Sequence, residues 1–374
     1  RLGNNMHCGK NADQKLYRHR KGKRVLPDSS KKIESRFQNE TGKKMNFTLN
    51  RIIRGDALRE LRKFPEGSVD MVISSPPYWA LRDYGVKGQL GLEKTFGEYI
   101  VKLCGTFDEI RRVLKDTGTC WVNLGDSYNN SNWAGDKPNK FEGQNINKKH
   151  NVFGRGGQLN YPDKCLAMVP FRFAIEMVNC GWILRNVIIW WKPSCMPSSV
   201  KDRFTVDFEY LFFFVKNKKY WFEKQYEPLK ESSLLRAKYN SYSLKTDKGI
   251  HGGMNLKNQL KVFEKINKGE LQGRNKRCVW RIATRPFRGS HFAVFPEDLV
   301  ETPIKAGCPK GGIVLDPFMG SGTTAVVAKS LGRNYVGIEL NPKYIKMAER
   351  RIKAVSTISR RENERTFKPS KTGI

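Results

Sequence analysis

No C-x-x-C pair occurs among the eight cysteines, which are scattered from Cys8 to Cys308. That spacing argues against a zinc site and against a disulfide framework, so no metal is expected. Cys120 in T-C-W-V and Cys180 before G-W-I-L sit in apolar runs and read as small buried hydrophobes in a reducing compartment. No apolar run approaches the roughly 18 residues of a membrane span, and the longest, near Tyr210–Val215, has the length of a strand. A signal-peptide core is also missing, and no internal repeat is evident. The chain does not begin with Met, so its numbered start need not be the native one. Acidic residues are scarce: 36 Asp and Glu face 69 Lys and Arg, a net charge of +33. A chain this basic favours a polyanion, with DNA or RNA ahead of an anionic membrane surface. A basic but solvated surface is the plain alternative. What is present in quantity is core: 39% of the 374 residues are hydrophobic, enough for one large domain or two ordinary ones.

Strand-like and helix-like stretches alternate. F-T-L-N-R-I-I-R near Met45 and V-D-M-V-I-S-S read as strands, with a short amphipathic helix between them. Tyr99–Leu114 has helical spacing and stops at K-D-T-G. T-C-W-V-N-L, Trp182–Trp191 and Phe208–Val215 read as further strands, and Phe171–Cys180 as a helix. Phe208–Val215 and Tyr220–Glu223, flanking N-K-K, look like a hairpin. Strand, helix, strand return at Gly312–Phe318, Thr323–Leu331 and Asn334–Glu339, and a last helix opens at Asn341-Pro342. The pattern predicts an α/β fold: a mostly parallel sheet with helices on both faces and one antiparallel hairpin. Residues 47–224 and 285–355 are expected to form one core, with 225–284 inserted between its halves. Residues 1–46 and 356–374 are basic extensions, the first either a flexible tail or a phosphate-contacting arm. Residues 128–160, rich in Asn, Gly and Lys, are too long for an ordinary connector and are either a functional loop or disordered.

Two stretches carry chemistry. In D-P-F-M-G-S-G-T-T (Asp316–Thr324) a strand leads in and a helix leads out, so free helix N–H groups and close-approach glycines meet at one turn. A nucleoside triphosphate would need a Lys before the Thr, which is absent. A dinucleotide is the second reading, with Ala325 at the tolerant third position, and a turn with no ligand is the third. The fourth is a nucleoside with no phosphate at this corner. Glu339, closing N-Y-V-G-I-E, stands where an acceptor for its ribose belongs. The other stretch is S-S-P-P-Y-W (Ser74–Trp79), where two prolines stop a buried strand in a rigid polar-to-aromatic corner. Taken alone it is either a structural turn or a holder for something flat.

Together S-P-P-Y, F-x-G-x-G-T-T and V-G-I-E-L resemble the amino-group DNA methyltransferases. Their order, corner first and glycine loop last, is similar to the beta class. The resemblance implies a Rossmann-like fold that binds S-adenosylmethionine and methylates an exocyclic nitrogen of cytosine or adenine in double-stranded DNA. It assigns Asp316, Phe318, Gly320, Gly322 and Thr323 to the cofactor loop and Glu339 to the ribose. Asp56 in G-D-A-L would lie near the cofactor's adenine, and Phe292 and Pro296 in H-F-A-V-F-P-E-D-L would contact its methionine end. Ser75 Oγ and the Pro76 carbonyl would accept the amine's hydrogens, with Pro77 stiffening the corner and Tyr78 stacking on a flipped-out base. N-L-G-D-S (Asn123–Ser127) and I-W-W-K-P (Ile189–Pro193) would border the target pocket.

Ser75 at the head of the corner favours N4 of cytosine, with N6 of adenine as the alternative. Cytosine C5 chemistry is not expected, because no Pro is directly followed by Cys, the pair that family's catalysis uses. Segment 225–284 takes the place of the family's target-recognition region. Arg236, Lys238, Lys257, Lys261, Arg274, Lys276 and Arg277 there are candidate DNA contacts, with Tyr239, Tyr242 and Trp280 between them; a solvated surface charge is the plain alternative for each. Lys148, Lys149 and Arg155 would embrace DNA from the long loop. No nuclease-like cluster occurs, so a restriction endonuclease partner would be a separate chain. The resemblance further implies a cytoplasmic, nucleoid-associated protein of a microbe or phage-infected cell. A non-catalytic basic nucleic-acid-binding protein with a degenerate core and an RNA substrate are the competing readings.

Overall fold

The computed structural model describes residues 36–38, 44–46, 48–79, 83–93, 95–129, 162, 164–243, 256–271, 273–284 and 295–366. A short ribbon pairs β1 (Arg36–Gln38) with β2 (Lys44–Asn46). The main sheet then takes β3 (Arg51–Arg54), β4 (Val69–Ser74), β5 (Leu114–Leu124), β6 (Ile183–Trp191) and β7 (Phe208–Val215) from the first part of the chain. A second ribbon pairs β8 (Tyr226–Glu227) with β9 (Arg274–Asn275). The main sheet is completed by β10 (Val279–Arg281), β11 (Ile313–Asp316) and β12 (Asn334–Glu339). Its order is β10-β6-β7-β5-β4-β11-β12-β3, and only β7 runs antiparallel to its neighbours.

Helices cover both faces, and strand alternation decides which residue faces which layer. Val72, Val122, Phe212 and Leu315 point to one side, under α1 (Ala57–Leu61), α2 (Phe96–Val113) and α3 (Val169–Asn179). Met71, Ile73, Trp121, Phe213 and Val314 point to the other, under α6 (Glu297–Gly307), α7 (Thr323–Ser330) and α8 (Pro342–Thr366). The central strands are therefore apolar on both faces, as buried parallel strands must be. α2 opens on Thr95, whose hydroxyl accepts the Glu98 amide at 3.2 Å, and it buries Tyr99, Leu103, Phe107 and Ile110. Two further helices, α4 (Glu231–Ser243) and α5 (Leu256–Asn267), pack on each other between β8 and β9. No helix among the described residues is long and apolar enough to cross a membrane.

Three expectations change. K-D-T-G does not stop α2; Leu114 ends the helix and begins β5, so this stretch lies within the strand. Tyr220–Glu223 forms no hairpin with β7. The antiparallel partners of β7 are the longer β5 and β6, while Tyr220 and Phe222 pack their rings against Phe213, each at 5.8 Å. The longer pairing wins because it satisfies a full ladder of backbone groups that four residues cannot. Finally, Val279–Arg281, within the segment read as an insertion, is the edge strand beside β6.

The connections out of β4 and β11, which lie side by side, lead in opposite directions: β4 through α2 to β5, and β11 through α7 to β12. Such a reversal opens a crevice at the carboxyl ends of the two strands. Both chemistry-bearing stretches follow those ends.

Candidate active site

The crevice holds a cavity of about 350 Å³, within the usual range for small-molecule sites. Its wall includes Asp56 after β3, Ser75 and Pro77 after β4, Phe318, Gly320 and Thr323 after β11, and Glu339 at the end of β12. Residues predicted from separate parts of the sequence thus meet in one place. Tyr84, Phe295, Asn341 and Tyr344 also line it and were not foreseen. Pro296 caps α6 next to Phe295 rather than lining the cavity itself. Phe292 lies outside the described residues.

Glu339 is held from both sides. Its Oε2 accepts the Gly320 amide at 2.8 Å and its Oε1 the Asn341 amide at 2.7 Å. Each oxygen keeps capacity for a further donor, which suits a pair of ribose hydroxyls. Burial raises its pKa, and the two amides work against that shift. The loop that supplies Gly320 turns through left-handed backbone at Gly320 (φ 53°) and Gly322 (φ 84°). A Cβ at Gly322 would stand 2.6 Å from that of Ala348 on α8, so glycine there also lets the helix close down on the loop. Gly322 itself stands behind the cavity wall. Thr323 Oγ1 accepts a hydrogen bond from Arg351 at 3.0 Å. Asp56 caps α1 through the Arg59 amide at 2.9 Å, which fixes its carboxylate at the cavity edge.

Asp316 is buried behind the wall rather than in it. Its carboxylate accepts from Ser74 Oγ at 2.6 Å, the Phe318 amide at 3.0 Å and Thr324 Oγ1 at 2.6 Å. It therefore ties the end of β4 to the glycine loop. Burial pushes its pKa up to about 6 despite those three donors. An unfolded carboxyl titrates near 3.9, so the folded protein binds the extra proton between about pH 4 and 6. The sign is unusual for an aspartate: the contribution to stability is full below about pH 4 and is lost as the pH rises through 6. Asp316→Asn keeps the shape and removes the charge. Thermal unfolding is expected to show a larger gain in midpoint between pH 7 and pH 5 for wild type than for Asp316→Asn. Identical gains would remove Asp316 as the source.

The corner at Ser75–Tyr78 is braced from behind. Pro76 is buried, Tyr99 donates its hydroxyl to the Pro77 carbonyl at 3.0 Å, and Trp79 is buried against Phe96. Tyr78 donates its hydroxyl to Glu209 Oε2 at 2.8 Å, with Asn123 Oδ1 farther off at 3.3 Å. Lys192 pairs with the other oxygen of Glu209. Ser75 Oγ lies 3.4 Å from the same phenol oxygen. Burial, and then Glu209, push the Tyr78 pKa far up, so the phenol keeps its proton. A phenol has one proton, and a carboxylate can only accept. With that proton on Glu209, Ser75 is the donor to Tyr78, and its lone pairs are left for an incoming N–H. Glu209 thereby sets the direction of the chain Ser75 to Tyr78 to Glu209.

Space for the Tyr78 ring comes from Gly125 in N-L-G-D-S, where a Cβ would lie 2.9 Å from the ring. Gly125→Ala is expected to tilt the ring and lower turnover about tenfold, the scale for small misplacements near reacting groups. An unchanged turnover number would show that ring placement is not critical. Next to it, Asp126 uses one oxygen to accept the Ser127 and Val169 amides. Its other oxygen is buried with no partner among the described residues.

The candidate DNA contacts divide. Lys238 and Lys261 are exposed on α4 and α5, and Lys276 sits 5.4 Å over the Trp280 ring. Arg274 and Arg277 both bind Glu227, at 2.6 and 2.7 Å, so they clamp the β8–β9 ribbon. The side chains of Arg236 and Lys257 lie outside those described, as do Lys148, Lys149 and Arg155.

Comparison with known proteins agrees with this geometry. The DNA methylase family model for N6 and N4 enzymes matches residues 69–350. The Type II methyltransferase M.SmaI of Serratia marcescens is 39% identical over 317 residues, covering 84% of this chain and 94% of that protein. M.XycI of Xanthomonas campestris pv. cyanopsidis is 38% identical over 304 residues, covering 80% and 87%. Among solved structures, the cytosine-N4-specific PvuII DNA methyltransferase shares the fold, with a TM-score of 0.52 at 20% identity over 83% of this chain and 91% of that one. A match of this extent, on a chain whose glycine loop and proline corner share one crevice, makes this protein a member of the N6/N4 DNA methylase family.

Proposed function

We propose that this protein is a Type II DNA methyltransferase that uses S-adenosylmethionine to methylate N4 of a flipped-out cytosine. The observation that carries the reading is the shared cavity: Ser75 and Pro77 line the same space as Glu339 and the glycine loop. The relatives M.SmaI and M.XycI, both named Type II methyltransferases, support the reaction class. Ser75 supports cytosine over adenine.

When bound, S-adenosylmethionine supplies an electrophilic methyl group on a sulfonium. Glu339 holds the ribose hydroxyls, Asp56 the adenine side, and Tyr344 and Phe318 give apolar wall. An exocyclic amine is a poor nucleophile because its lone pair is delocalised into the ring. Ser75 Oγ and the Pro76 carbonyl accept its two hydrogens and draw that lone pair out of the plane. Tyr78, held by Glu209, offers a ring to stack the base. Much of the rate then comes from positioning. The base must leave the duplex to reach the corner.

The test is mass spectrometry of nucleosides from plasmid DNA incubated with the protein and S-adenosylmethionine carrying a deuterated methyl group. Labelled N4-methylcytosine is the expected product, and mapping its positions gives the recognised sequence. Labelled N6-methyladenine would overturn the choice of base and leave the reaction class standing. No label on DNA, with label on RNA offered in a parallel incubation, would overturn the substrate.

A further inference from the structure

Residues 192–207 join β6 to β7, and both roots of this loop lie at the catalytic corner. The Lys192 amide donates to the Asp207 carbonyl at 2.7 Å, and Trp191 Nε1 donates to the Asp207 carboxylate at 2.8 Å. From one root, Lys192 also pairs with Glu209 behind Tyr78. The outer limb is also fixed. Arg203 stacks 3.7 Å over the Tyr128 ring, and Asp202 bonds Lys164 at 2.6 Å. This is an anchored structure, yet its tip is apolar. Phe204 is 96% exposed and Met196 88% exposed, with Val200 and Val206 exposed beside them.

A large apolar side chain left almost wholly in water contributes little to its own fold, and several of them on one anchored loop mark a contact surface. The chemistry around it identifies the partner. Lys201 and Arg203 flank the apolar tip, and the whole chain carries a net charge of +33. A surface that is apolar at the tip and cationic at the rim fits a stack of bases between two phosphate strands. The location fits as well. Phe204 is five residues from Glu209, so its backbone lies within about 18 Å of the group that holds Tyr78.

We propose that residues 192–207 form a wedge that enters the DNA base stack, with Phe204 and Met196 filling the gap left by the extruded nucleotide. Lys201 and Arg203 then meet the adjacent phosphates. The inference rests on the reading above of a DNA enzyme that flips its target. It assigns to this loop the cost of unstacking.

The experiment compares wild type, Phe204→Ala and Met196→Ala on two duplexes carrying the mapped site. One is fully paired, and the other has the target base opposite an abasic position. On the paired duplex Phe204→Ala is expected to lose tenfold or more in kcat/KM, the scale of unstacking one base. On the abasic duplex the target is unpaired but still stacked, so it costs less to extrude, and the variant's loss is expected to shrink well below that on the paired duplex. Equal loss on both duplexes, or loss on neither, overturns the wedge. So does a concentration-dependent dimer of the wild type that Phe204→Ala abolishes, since the patch then belongs to a second copy. A wild type that methylates no DNA removes the underlying reading, and is seen before any variant is made.

Discussion

Glu339→Gln is expected to weaken S-adenosylmethionine binding on the order of 10²-fold, from two lost charge-assisted hydrogen bonds at about 1.5 kcal/mol each. The substitution looks conservative and is not. Both oxygens of Glu339 already face backbone donors, Gly320 on one side and Asn341 on the other. A carboxamide has one oxygen, so its NH₂ must confront one of those amides. The loop then either loses its hold on Gly320 or the side chain turns away from the cavity. Glu339→Ala leaves both amides without their acceptor and is expected to be as weak as Gln or only slightly weaker. Calorimetric titration with the cofactor measures both. Affinity within about threefold of wild type, a difference under 1 kcal/mol, would show that the ribose is held elsewhere.

Ser75→Ala is expected to lower turnover on the order of 10²-fold or more, the scale for removing one positioned hydrogen-bonding group from a reacting centre. Cofactor affinity should hardly change, because the end of the cavity proposed to hold the ribose is intact. Glu209→Gln tests the directional argument separately. A glutamine can offer Tyr78 either an oxygen or an NH₂, so the phenol is free to turn its proton toward Ser75. Part of the population then presents Ser75 with its own proton facing the amine. A loss of about tenfold in kcat, with KM for DNA unchanged, is expected, and Tyr78→Phe should make Glu209→Gln nearly silent because the two act through one chain. Single-turnover methylation of a mapped duplex reads all three. Loss of cofactor binding equal to the loss of turnover would remove the assigned roles.

The residues legible in the sequence were those whose neighbours along the chain define them. Asp316–Thr324 is a strand, a turn and a helix start in nine consecutive residues, and Glu339 closes the very next strand, so the turn could be read without knowing the sheet. Glu209 could not be found this way. It lies 131 residues from Tyr78, and only the placement of β7 between β5 and β6 brings the two together. Its sole local signal was a carboxylate near the start of an otherwise apolar strand. The position of Asp316 in the loop suggests a cofactor contact, whereas its side chain turns inward to Ser74 and Thr324. Arg274 and Arg277 looked free for phosphate because Glu227, their shared partner, is some fifty residues away. Val279–Arg281 gives no strand signal because three residues carry no period.

The order of strands also sets a timetable for synthesis. β11 sits between β4 and β12, and β3 pairs only with β12 among its neighbours in the main sheet. A ribosome that has made β4 must add about 240 further residues before β11 follows, tens of seconds at typical rates. Throughout that interval one edge of β4 has no strand beside it and β3 has no place in the main sheet. The half-made sheet is an open, apolar edge of the kind that pairs with other chains. Closing it waits on the glycine loop and Glu339, so the cavity proposed for the cofactor is among the last features to form. A truncation before residue 313 is expected to leave that edge exposed and to lack the glycine loop and Glu339, the residues proposed to hold the methyl donor.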